Sequence, residues 1–276
     1  MNIEQNTPEW LEMRKGKVGA SDAPVIMKVS PYKTPYQLWQ EKLGLKRQDA
    51  ETFAQAEGKR KEPIAKALLE ERLGMPLIPK VKPHNQRSWM MASLDAMSFD
   101  ESIVAEIKCP GKDDHRSALS GHVPEKYFPQ LQHQLEVCQV EAIYYFSYFE
   151  EASVLLKVYR DEKYIKDLLN EEEKFYDAMQ NFEAPELLDR DYVERTDPRW
   201  AYLANRLQEI KLLQKEEEEI RKELISLTEG KNSMGCGIKL SKYLRKGSVD
   251  YNKVPELQGV DLESYRKKPM EYWRVS

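Results

Sequence analysis

Ser88-Trp89-Met90-Met91-Ala92-Ser93-Leu94-Asp95, followed across Ser98–Ser102 by Ile103-Val104-Ala105-Glu106-Ile107-Lys108, is the stretch on which the fold turns. Both runs are short and rich in apolar residues, and the segment between them is turn-like. The pair is therefore expected as two strands of a hairpin. In the second strand Glu106 and Lys108 are two apart and share a face, while Ala105 and Ile107 point the other way into a core. Asp95 closes the first strand, so the hairpin brings it beside Glu106. Glu62 lies on the helix before them.

Each of these residues also has a bland role. A Glu-x-Lys pair on a strand is ordinarily a solvated face or a cross-strand salt bridge. Asp95 alone could cap a turn, and Glu62 alone could be an exposed helix residue. Together they suit phosphodiester cleavage. Carboxylates hold hard divalent ions such as magnesium. Such ions lower the pKa of an attacking water and stabilise the leaving oxygen. A lysine ammonium orients that water and offsets charge on the phosphorane.

Working outward, periodicity gives alternating helices and strands, an α/β (α+β) arrangement. Thr7-Pro8 opens a helix, Gly19–Ala23 is a turn into a short one, and Thr34-Pro35 opens a third that Gly44 ends. Ile64, Ala65, Leu68, Leu69 and Leu73 mark a helix over 57–73, closed by Gly74. Residues 124–140 read as helix, Ala142–Phe149 and Val154–Arg160 as a strand pair, and 162–181 as a charged helix. A second long helix spans 199–229. Its apolar stripe runs Leu203, Leu207, Ile210, Leu213, Ile220, Leu224, Leu227, with Glu217 interrupting it, like a short coiled coil. Gly237–Tyr243 could be a strand, and Ser248 or Asp250 could open a helix to Leu257. The expected organisation is a core at 1–185, a helical arm at 186–230 and a basic tail at 231–276.

Composition narrows the classes. Hydrophobic residues make up 41% of the 276, enough for a packed core. The sequence has no apolar run long enough for a membrane span, and its start lacks a signal-like apolar segment, so a cytoplasmic protein is expected. The 3 cysteines are far apart and suit a reducing compartment. No CxxC occurs, and the 4 histidines fall in no zinc-binding spacing. The net charge of −4 is unusual for a nucleic-acid binder, but its distribution softens the objection. Residues 151–230 hold 13 basic and 21 acidic side chains, and residues 231–276 hold 10 and 5. The acidic runs Glu171–Glu173 and Glu216–Glu219 are expected to face solvent. Basic clusters lie at Lys59–Lys61, Lys80–Arg87, Lys239–Lys246 and Arg266–Lys268.

Asp95 with Glu106-Ile107-Lys108 resembles the PD-(D/E)xK nuclease motif, although Leu94 stands where a proline is usual. The wider order is more specific. Trp10-Leu11-Glu12-Met13-Arg14, Gly19-Ala20-Ser21-Asp22, Glu57-Gly58 with Glu62, Asp95, Glu106 to Pro110, and Tyr127 with Gln130 and Gln132 resemble the lambda exonuclease and YqaJ-like viral recombinase family. The resemblance covers residues 10–132. It implies a restriction-endonuclease-like core with a mixed central sheet flanked by helices. Asp95, Glu106 and Glu62 would be metal ligands with the Ile107 carbonyl, for two magnesium ions that manganese could replace. Lys108 would contact the attacking water, and Gln130 would support the lysine or the water. Arg14 and Ser21 would bind a phosphate, such as the 5′-phosphate of a DNA end. Without the family pattern, Arg14 could simply pair with Glu12 or Asp22, Ser21 could be an N-cap, and Gln130 and Gln132 could lie on a polar helix face. Trp10, Trp39, Trp89, His133 and Cys109 read as structural.

The resemblance further implies digestion of double-stranded DNA ends, 5′ to 3′. A 3′ strand would be left for a single-strand annealing recombinase protein. It also implies a homo-oligomer, a trimer, in a bacterial cell carrying a phage or prophage. An endonuclease on the same core is the alternative. A non-catalytic DNA-binding or coiled-coil adaptor is the reading from another class.

Overall fold

Strand β3 (Met90–Met97) organises the first part of the chain. β2 (Ile78–Pro83) runs antiparallel along one of its edges. The other edge is shared. β1 (Val18–Gly19) pairs parallel with Met90 and Met91, and β4 (Val104–Lys108) pairs antiparallel with Ala96 and Met97. Between those two pairings the edge opens at residues 92–95. β4 continues parallel beside β5 (Ala142–Phe149), and β5 pairs antiparallel with β6 (Ala152–Tyr159), completing a mixed 6-stranded sheet.

The β2–β3 register slips between Ile78 opposite Met97 and Lys80 opposite Leu94. The slip inserts one extra residue into β3, a bulge at Asp95–Ala96. Leu94 consequently packs in one core and Ala96 in the other. The bulge and the opening beside it fall at Asp95.

Helices cover both faces of the sheet. α6 (Phe128–Cys138) is buried from Pro129 to Cys138. Its Leu131 and Leu135 pack with Ala92, Leu94 and Tyr145. On the opposite face α4 (Phe53–Leu73) sets Ala65 and Leu69 against Ala105, Ile107 and Phe146. Each such large aliphatic side chain contributes roughly 1.5–3 kcal/mol on burial. α1 (Pro8–Lys15), α2 (Ala23–Ile26), α3 (Pro35–Lys42), α5 (Lys112–Leu119) and α7 (Glu162–Gln180) complete this unit. Val25, Leu38, Trp39, Phe175 and Met179 form a third cluster among α2, α3 and α7.

The computed structural model describes residues 7–47, 50, 52–248, 253–255, 260, 265 and 267. The chain divides into two units, Met1–Tyr192 and Val193–Ser276. Residues near the end of the first unit are tied into it. Thr34 Oγ1 donates to Asp191 at 2.6 Å, and Arg190 donates to the carbonyls of Ser30 and Lys33. In the second unit α8 (Pro198–Leu227) starts at Asp197, whose carboxylate accepts the Trp200 N–H at 2.9 Å. Beyond it β7 (Ser233–Gly235) and β8 (Ile238–Leu240) form a hairpin. The helix expected from Ser248 or Asp250 to Leu257, and Arg266 and Lys268, lie largely outside the described residues.

Several local expectations are corrected. α4 begins at Phe53, because Thr52 and Gln55 exchange hydrogen bonds as a capping box, and it runs on through Pro63. Lys80 and Lys82 sit on β2 and pair with Glu101, while Arg60 and Lys61 pair with Glu57. One carboxylate thus offsets two cations in each cluster, which remains net basic but not bare. Glu172 is fully buried, unlike its neighbours in the acidic run. Its carboxylate meets His133 Nδ1 at 2.7 Å, and His133 Nε2 lies 2.9 Å from the Met91 carbonyl.

Candidate active site

Strand alternation on β4 does what its sequence demands. Glu106 and Lys108 lie on the α6 side, and Ala105 and Ile107 pack under α4. Glu106 is 2% exposed, which makes its charge expensive unless it is satisfied. Gln130 Nε2 donates to one of its oxygens at 2.6 Å, and Gln134 Nε2 donates to the other. Lys108 Nζ adds an ion pair. The two glutamines are one helical turn apart on α6, so both reach the same carboxylate.

Asp95 stands where β4 leaves β3. Its Oδ2 accepts the Ile107 N–H at 2.9 Å, bridging the splayed strands in place of a ladder bond. Glu62 comes from α4. That helix passes close to the end of β4, since a Cβ on Gly58 would lie 4.0 Å from the Cys109 carbonyl oxygen. Glu62 is one turn further along. Asp95, Glu106, Ile107, Lys108, Glu62 and Gln130 line one cavity of about 220 Å³, with Trp10, Ser93, Arg14 and Ser21 on its other wall.

The electrostatics of this cavity are one-sided. Burial raises the Asp95 carboxyl well above the ordinary range, and the charge of Glu106 pushes it further, with Lys108 opposing. Glu62 is raised for the same reasons, burial first and Glu106 next. Burial works against the Lys108 ammonium, but Glu106 and Asp95 outweigh it and hold the proton on. Lys108 also lies 5.4 Å from the centre of the Tyr127 ring. Fully ionised, the three acids would carry more negative charge than one lysine neutralises, and their raised carboxyls reflect how strongly that ionisation is opposed without a further cation. Three hard carboxylates and a nearby backbone carbonyl fit a magnesium-like ion, which prefers oxygen donors. Among the described residues no three acidic, histidine or cysteine side chains converge as a finished cage.

The opposite wall is cationic. Arg14 lies over the Trp10 ring at 4.5 Å and donates to Ser21 Oγ at 2.9 Å. Trp10 is itself fixed by a 2.9 Å hydrogen bond from its indole N–H to Ser93 Oγ. Behind them Asp22 accepts the Gly19 N–H at 2.8 Å and pairs with Lys42 at 2.6 Å. Burial alone would raise Asp22, but Lys42 and Arg14 keep it below its ordinary value. Lys42 also donates to the carbonyls of Arg14 and Lys17. Arg14 meets Asp22 only at 3.9 Å, so much of its guanidinium remains available to an anion.

The structure separates residues that the sequence reading kept together. Gln130 faces Glu106, whereas Gln132 faces away, accepting the Asp161 N–H and donating to the Tyr159 carbonyl. The helix face carrying them is buried, not polar surface. Gln134 was missed. Its signal was the four-residue step from Gln130, which puts both amides on one face.

Residues 9–141 match the YqaJ-like viral recombinase domain family. The uncharacterised protein YqaJ of Bacillus subtilis (strain 168) is 28% identical over 195 residues, which is 67% of this chain and 60% of that protein. The match therefore spans less than two thirds of that relative. Among solved structures, the alkaline exonuclease LHK-Exo of Laribacter hongkongensis superposes with a TM-score of 0.54 at 23% identity, covering 64% of this chain and 94% of that one. The complex of LHK-Exo with dAMP gives 0.55 at 24% identity over the same shares. The likeness establishes the fold, a mixed sheet between helices. The family match lies within the unit whose fold resembles the LHK-Exo structures, so residues 9–141 are similar in both sequence and fold to that group of proteins.

Proposed function

We propose that the chain is a divalent-metal-dependent DNA nuclease, working as an exonuclease on the ends of double-stranded DNA. The observation that carries this reading is the two-walled cavity. Glu62, Asp95, Glu106 and Lys108 face Arg14 and Ser21 across it. A phosphodiester placed between the walls meets oxygen donors for metal on one side and anion donors on the other. The relative crystallised with dAMP is named an alkaline exonuclease, and this chain shares its fold.

The roles follow from chemistry. Asp95, Glu106 and Glu62, with the Ile107 carbonyl, would hold the ions. Two magnesium ions, replaceable by manganese, would supply a water of lowered pKa and a counter-charge for the leaving oxygen. Lys108 keeps its proton and orients the water while offsetting charge on the phosphorane. Gln130 fixes the Glu106 carboxylate, so that Lys108 and the acid keep their separation. Arg14 and Ser21 receive a terminal phosphate, which gives the enzyme a preference for 5′-phosphorylated ends and a 5′ to 3′ direction. The 3′ strand left behind suits a single-strand annealing protein, and processive digestion suits a ring-like homo-oligomer such as a trimer.

The test uses three substrates with magnesium: linear duplex with 5′-phosphate, the same duplex with 5′-hydroxyl, and a closed circle. The phosphorylated duplex should be digested fastest and the circle left intact. Arg14→Gln should lower the advantage of the phosphate about 10-fold, the value of one charge-assisted contact. Cutting of the circle at a rate comparable to the linear duplex would sink the exonuclease reading.

A further inference from the structure

The second unit carries a feature that the nuclease reading does not use. On α8, Leu203, Arg206, Ile210, Leu213, Glu217 and Ile220 recur at alternating steps of three and four, a single coiled-coil seam. Its four apolar members are 38% to 58% exposed. The seam continues to Leu224 and Leu227, but these two line an apolar pocket with Ile238 and Leu240 of the β7–β8 hairpin. Leu224 is half-buried there and Leu227 stays 72% exposed, while the segment before the hairpin, Leu203 to Ile220, is an exposed seam of about 27 Å of helix.

The two charged positions in this segment decide what fits it. A parallel pairing of identical helices would set Arg206 against Arg206 and Glu217 against Glu217, two repulsive layers. An antiparallel pairing that uses the whole seam, hairpin end included, would set each charge against a leucine. Moving the second helix by one heptad brings Arg206 opposite Glu217. The same shift sets Leu203 opposite Ile220 and Ile210 opposite Leu213, so every open layer is closed by a matching one. That register uses the part of the seam that precedes the hairpin contacts. We propose that α8 pairs antiparallel with α8 of a second copy of this chain over Leu203–Ile220, with the Arg206–Glu217 layer fixing direction and register. In the single chain Arg206 pairs with Glu209 and Glu217 with Arg221. These are exposed local pairs, which solvent screens and which exchange at little cost. Glu217 interrupts the apolar stripe because it specifies the partner.

The inference is independent of the nuclease assignment. It is tested by sedimentation velocity of the full chain over a concentration series, comparing wild type, Arg206→Glu, Glu217→Arg and the double swap. Both substituted sites are solvent-exposed, and circular dichroism checks that the helix persists. Wild type should associate with rising concentration. Each single swap should raise the dissociation constant at least about 10-fold by opposing like charges, and the double swap should bring it back to within about 3-fold of wild type. A parallel pairing would give no rescue. If the residues beyond 248 cover the seam instead, all four chains keep one mass at every concentration. Either result overturns the proposal.

Discussion

Two buried carboxylate clusters share helix α6 and are balanced in opposite ways. Near its start, Gln130 and Gln134 reach Glu106 beside Asp95 and Glu62. Near its end, Glu136 meets His84 Nε2 at 3.2 Å, Arg87 at 3.1 Å, and Arg160. Burial would raise Glu136 as it raises Asp95. In the second cluster Arg160 and His84 overcome it and hold Glu136 below its ordinary value. In the first, Lys108 is the cation set against three acids, and Asp95 and Glu62 stay high. A cluster that has bought its own counter-charges is architecture. A cluster whose acids outnumber their cations in a cavity is where we propose that a cation binds from outside.

The largest effect should come from removing charge at the surplus cluster. Glu106→Gln keeps the shape and one accepting oxygen but turns the other into a donor facing a glutamine amide, and it removes a proposed ligand and the charged partner of Lys108. Cleavage of linear duplex in magnesium should fall on the order of 10³-fold, the upper range for one electrostatic group. The fold should be preserved, as checked by circular dichroism. If magnesium-dependent cleavage survives at near wild-type rate, the two clusters do not differ in the way proposed.

The balanced cluster should respond in stability instead. Glu136→Ala leaves His84 and two arginines facing an empty position. Arg87 is partly solvated and Arg160 keeps Glu162, so the loss should be about 2 kcal/mol, below the 3–5 of a fully buried pair. For a unit of this size the midpoint should drop about 4–8 °C. Because the folded-state pKa of Glu136 is depressed, its contribution is present above the ordinary value of 4.5 and lost as pH falls through the lower folded one. The gap between wild type and variant should therefore close in acid. Cleavage per folded molecule should stay within about 2-fold, since Glu136 lies outside the cavity.

How much of this contrast was legible beforehand depended on distance along the chain. Glu106 and Lys108 share a face because strand alternation is a two-residue rule, and residue order alone exposes it. The bulge that places Asp95 is set by β2, a strand hidden in the sequence as a basic stretch with Pro79 and Pro83. Glu172 looked like one solvated acid in a run of three. It turns inward because His133, 39 positions earlier, waits in the core. The family pattern pointed to Glu62 and Gln130, but only the packing of α4 and α6 on opposite faces of the sheet brings them to one cavity. Gln134 was readable in principle, as a four-residue repeat of Gln130. It looked ordinary because nothing local says that α6 is buried.

The smallest effect is the one that separates the two clusters most directly, because its sign is opposite. Asp95→Asn removes a charge that burial and Glu106 disfavour, while the amide oxygen can still accept the Ile107 N–H. A carboxyl with a raised folded-state pKa contributes stability below its unfolded value and loses it as pH climbs through the folded one. Without divalent ions, wild type should therefore weaken as pH rises past the ordinary carboxylate range, and the variant should lack that part of the slope. At pH 8 in EDTA the variant should melt about 2–4 °C higher, the shift of roughly 1 kcal/mol in a domain of this size. Magnesium should then raise the midpoint of wild type and leave the variant nearly unmoved, since binding to the folded state alone is what stabilises. The same change at Glu136, Glu136→Gln, should lower the midpoint and show no such rescue. If Asp95→Asn destabilises the metal-free protein as Glu136→Gln does, then Asp95 is a balanced structural acid and the surplus charge is not there.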